Sequence, residues 1–166
     1  MLRTSTLTIC MVFLSGCGAV YGDVPMAGPC GGGTWLELRS TDVPLQDGDV
    51  LAVEHGSQGG FHVLFDLFVT SAEAQAQIVV NAFADGRTLN RSSYQVPLEV
   101  EQEPGCHAGT IEHWLVISNA RLPNPEELSN RELFDGLQIR VRALAANDVG
   151  ATVSERDLVV EWTEWE

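Results

Sequence analysis

The sequence predicts an all-β domain, two antiparallel sheets packed face to face, and three observations carry that expectation. Apolar residues recur at every second position along most of the chain beyond residue 34. Gly- and Asp-rich turn signals interrupt that alternation, and only two stretches have helical composition.

The strands are justified in order. Alternation opens at residues 35–39, an apolar run follows at 50–54, and Phe61, Val63, Phe65, Leu67 and Val69 place one apolar face on a long segment. Further segments fall at 77–84, 94–101, 111–118, 137–144 and 158–162, giving about eight strands in all. Between them stand Asp47-Gly48-Asp49, Gly59-Gly60, Asp85-Gly86, Glu103-Pro104-Gly105 and Asp148-Val149-Gly150. Residues 71–77 (SAEAQAQ) contain good helix formers but are too few for a stable helix. Residues 123–133 offer Pro125 as a first helical position with Glu126 and Glu127 behind it, so a short helical or irregular crossover between sheets is expected there. Residues 137–144 and 153–162, joined through 145–150, read as a terminal hairpin. This closing pair resembles the last strands of immunoglobulin-like domains, which implies an antiparallel Ig-like β-sandwich for residues 34–166. The antibody-type cysteine pair flanking a core Trp is not found at the usual strand positions.

The N-terminus addresses a different question. Arg3 precedes an apolar core at residues 7–14 (LTICMVFL), which has signal-peptide length and is too short to span a bilayer. Leu14-Ser15-Gly16-Cys17 follows, and this run resembles the bacterial lipobox. The resemblance implies that residues 1–16 are a cleaved signal peptide and that Cys17 carries the lipid. Several acyl chains make such anchoring stable where one chain is marginal. Gly18 stands after the cysteine where Asp would imply inner-membrane retention, so the resemblance points to the outer membrane. Residues 17–33, rich in Gly, Pro and Ala, are expected to be a flexible tether.

With Cys10 removed in the signal and Cys17 consumed by lipid, Cys30 and Cys106 remain as one pair in an oxidising compartment, and a disulfide between them is expected. Closing that long loop stabilises a fold by roughly 4 kcal/mol in the chain-entropy model, less any native strain. Two free thiols, or a bridge to another chain, are the alternatives.

The formal net charge of −14, with the arginines scattered singly apart from Arg140 and Arg142, argues against nucleic acid as a partner. The body of the protein should also be repelled by anionic lipid surfaces, leaving the lipid as its hold on the membrane.

The segment His55-Gly56-Ser57-Gln58-Gly59-Gly60-Phe61-His62 is the candidate binding loop. Its Gly56 to His62 pattern, G-x-Q-G-G-x-H, is similar to a turn of bacterial envelope lipoproteins, a resemblance that implies a class and no activity. His55, Gln58 and His62 could project from one end of a sandwich; equally, they could satisfy a tight turn. Ser57 fails as a hydrolase nucleophile elbow, because His55 occupies the position that requires Gly. His55, His62, His107 and His113 are all the histidines, and none has zinc-site spacing to another. Asp47, Asp49 and Asp148 sit in turns and could meet calcium, but no calcium-loop motif is present. Trp162 alternates like a core residue, whereas Trp165 is a candidate for exposure.

These readings converge on a cell-envelope lipoprotein that serves as a binding or structural module rather than an enzyme. The expected partners are the membrane, through the lipid, and another envelope protein; no metal or cofactor is expected. The alternative is a metal-binding envelope protein or small hydrolase using the loop from His55 to His62.

Overall fold

A computed structural model of the chain describes residues 33–56, 60–122 and 125–163. Cys17, Cys30, Gln58 and Trp165 lie outside the described residues. Among the described residues ten strands form: β1 (Trp35–Ser40), β2 (Val43–Pro44), β3 (Val50–His55), β4 (Phe61–Ser71), β5 (Gln75–Ala84), β6 (Arg87–Pro97), β7 (Val100–Glu103), β8 (Cys106–Ile117), β9 (Leu137–Asn147) and β10 (Gly150–Trp162). One helix is present among the described residues, α1 (Asn130–Phe134), with a 3-10 turn at Asn119–Arg121.

The strands share one hydrogen-bonded path, β2-β1-β4-β3-β10-β9-β5-β6, with β8 on the other edge of β4 and β7 beyond it. Strand β4 pairs with β3 through Phe61–Val63 and with β1 through Asp66–Thr70, while β8 accompanies it along its whole length. Strand β3 therefore belongs to two neighbourhoods, bonding β4 on one edge and β10 on the other. The sheet curls about that corner so that two halves enclose a single core, the partition of an Ig-like sandwich. One pairing departs from the antiparallel expectation: β3 and β10 run parallel, Val50 beside Val159 and Val53 beside Trp162. The cause is topological, since the first half of the chain supplies β3 as an edge to which the last strand adds.

The core follows directly from period two. Val63, Phe65, Leu67 and Val69 of β4, Ile78, Val80 and Ala82 of β5, Leu115 and Ile117 of β8, and Ile139, Val141 and Ala143 of β9 are all buried on the inward face. Each fully buried Leu, Ile, Val or Phe contributes about 1.5–3 kcal/mol relative to exposure.

Several strand boundaries differ from the sequence expectation, among them the start of β6, the start of β8 and the terminal hairpin. Strand β6 begins at Arg87, because Asp85 (φ 47) and Gly86 (φ 73) form a two-residue turn of the left-handed kind that starts pairing at once. Strand β8 begins at Cys106 rather than at 111 and includes Gly109, where Leu98 packs so close that a Cβ would meet it at 3.1 Å. The terminal hairpin is tighter than expected: Asp148 and Val149 alone join β9 to β10. Asn147 fixes that turn, its Oδ1 accepting from Val149 N at 3.2 Å and from Thr34 Oγ1 at 3.0 Å.

The expected crossover is present, with a different start. Its helix is capped by Ser129, not led by Pro125: the Ser129 hydroxyl accepts from Glu132 N while the Glu132 carboxylate accepts from Ser129 N at 2.8 Å. Leu133 and Phe134 are thereby turned inward and buried. Phe134 meets Phe61 at 4.7 Å and Trp162 at 6.3 Å between ring centroids, closing one end of the sandwich.

Candidate functional site

The histidine hairpin does not converge. In the β3–β4 pairing, His55 stands opposite Phe61 and Glu54 opposite His62. Cross-strand partners share a face and adjacent residues alternate, so His55 and His62 point to opposite faces of the sheet. The His55 ring lies against Phe61 at 5.2 Å. His62 is buried under the Trp114 ring at 4.4 Å, with Nε2 3.4 Å from the Glu54 carboxylate. His107 is half-buried on β8. Among the described residues, no group of three His, Cys, Asp or Glu side chains is placed to hold a metal ion. The turn carboxylates have backbone duties instead: Asp49 accepts from Gln46 N at 2.8 Å and Asp47 from Asp157 N at 3.0 Å.

His113 is a core residue. It faces inward from β8, where Tyr94 of β6 bonds its Nδ1 at 2.7 Å and Phe65 lies 5.2 Å away. Burial pushes the imidazole down to about 4 and the Tyr94 phenol up to about 12, so both are neutral at pH 7. Their hydrogen bond ties the two halves of the sheet where β6 and β8 face each other, and Asn90 Nδ2 reinforces the seam by donating to Val116 O at 2.6 Å.

A concave site exists on the opposite, outward face of β5, β9 and β10. It is an open groove of about 770 Å³. Three strands build it by register: Arg140 of β9 lies between Phe83 of β5 and Asp157 of β10, and Arg142 lies opposite Glu155. The Asp85-Gly86 turn and Gly48 border it, and Gln138 contributes an amide. Arg140 donates to Asp157 through Nε at 2.7 Å and Nη2 at 3.0 Å, a two-point pair that holds both planes fixed. That contact keeps the Asp157 carboxyl below the usual carboxylate range and raises Arg140. Glu155 stands 3.5 Å from Arg140 and 3.8 Å from Arg142. Exposed pairs of this kind add little to stability, so their value is geometric. The alternation of Arg140 and Arg142 was the only sequence signal; Phe83 and Asp157 join them through pairings that no local pattern announces.

No protein-family model matches the chain, and no curated protein does either. Among solved structures, the chain is similar to the CooA pilin subunit from enterotoxigenic Escherichia coli, at 11% identity and a TM-score of 0.45, covering 78% of this chain and 99% of that one.

Proposed function

We propose that the protein is a lipid-anchored envelope module that binds a partner or ligand on the outside of its sandwich and catalyses no reaction. The observation that carries this reading is the division of labour between the two faces of the sheet. The inner face is filled by side chains such as Val63, Leu67, Ile78, Leu115 and Val141, each wholly buried, so the space between the sheet halves is core. The outward face of β5, β9 and β10 carries the groove and its fixed polar pairs.

Anchoring rests on the Leu14-Ser15-Gly16-Cys17 run, with the outer membrane as the destination that Gly18 favours. Replacing Cys17 with Ser should release the protein from the membrane fraction and leave the precursor uncut. Unchanged processing and unchanged sedimentation with membranes would remove the lipid from the proposal.

The second element is a disulfide from Cys30 to Cys106, which would staple the tether to the β7–β8 turn. Cys106 is buried at the start of β8, which supports the pairing. Mass spectrometry of the mature protein, alkylated without reduction, should find neither cysteine modified. Two alkylated cysteines in folded material would rule the bridge out.

A further inference from the structure

We propose that the groove on β5, β9 and β10 is a binding site for a neutral oligosaccharide; this deepens the reading of the chain as a binding module and rests on it. Its charges are nearly balanced, Arg140 and Arg142 against Asp85, Glu155 and Asp157, in a chain of net charge −14. An anionic ligand would meet the overall negative field and the carboxylates, and to use Arg140 fully it would have to break the two-point pair with Asp157. A cation would meet two guanidinium groups. A neutral ligand rich in hydroxyls avoids both costs.

Each hydroxyl both donates and accepts, whereas guanidinium only donates and carboxylate only accepts. Neighbouring hydroxyls of a sugar ring can therefore accept from one side chain and donate to the other while the ion pair stays intact. Asp157 engages Nε and Nη2 of Arg140, which leaves the Nη1 hydrogens for such a hydroxyl. Charge-assisted hydrogen bonds of this sort are stronger than neutral ones, and the pairing has already fixed both side chains. Phe83, directly across from Arg140, supplies the apolar surface against which the C–H face of a pyranose packs. A volume of about 770 Å³ admits a short oligosaccharide.

The test uses the full-length chain in a sugar-free detergent, titrated calorimetrically with maltohexaose, cellohexaose and chitohexaose, and with an oligogalacturonate as the acidic counterpart. Saturable binding of at least one neutral hexamer is expected, with the acidic oligomer bound more weakly. Phe83→Ala and Arg142→Ala, each shown by thermal melting to be folded, should weaken it at least about tenfold, a loss typical of a contact residue. Trp114→Ala, on the other half of the sheet, should bind as the parent does. No saturable binding of any neutral hexamer, equal binding by both groove variants, or preference for the acidic oligomer would overturn the assignment. Such a result leaves the anchoring reading intact, because that is decided by fractionation of the Cys17→Ser chain.

Discussion

Phe134→Ala should lower the unfolding free energy by about 3–5 kcal/mol, the range for deleting a buried phenyl ring. The side chain is wholly buried, and it comes from a helix of five residues that has little stability of its own. The ring holds α1 against Phe61 of β4 and Trp162 of β10, so its loss opens a cavity where the crossover meets both halves of the sheet. Urea unfolding should show the midpoint falling with the slope unchanged. Phe134→Leu, which refills part of the space, should recover much of the loss. A midpoint unmoved in Phe134→Ala would mean that the helix does not dock as described.

The second large effect is with pH. In the folded chain His113 titrates at about 4, against 6.5 for an unperturbed histidine, because burial between the sheet halves penalises its charge. Between those values the unfolded chain binds a proton that the folded chain does not. Stability is therefore intact above about pH 6.5 and falls as pH drops toward 4, by up to about 3 kcal/mol from this one group. Asp157 and Glu132 are displaced in the same destabilising sense, their carboxyls lowered by Arg140 and Ser129, and they act mainly at still lower pH. The double variant His113→Phe, Tyr94→Phe removes the titrating group without orphaning its partner, and it should flatten the stability profile between pH 6.5 and 4. An unchanged slope in that variant would assign the acid sensitivity elsewhere.

The long apolar segments were legible because burial on one face enforces period two. Phe61 to Val69 and Leu137 to Leu144 read correctly for that reason. The start of β6 was not legible: Arg87 to Ser93 lie on an edge strand, largely exposed, where no alternation is required. His62 misled for the opposite reason. It sits on the outward face of β4, where polarity suggested a loop ligand, yet Trp114 covers it from the neighbouring strand. Among the groove residues, Arg140 and Arg142 could be noticed as a pair, but which acids they meet depends on the pairing of β9 with β10. Pairing between distant segments leaves no mark in a local window, and the same limit hid the parallel contact of β3 with β10.

That parallel contact governs when the molecule can finish folding. Residues 50–53 and 159–162 are nearly the whole domain apart in sequence, so the cost of closing the intervening loop is met before the contact gives anything back. The N-terminal segment also cannot satisfy the open edge of β3 with a neighbour in sequence, since β4 already occupies its other side. Completion waits for the last strand to be available.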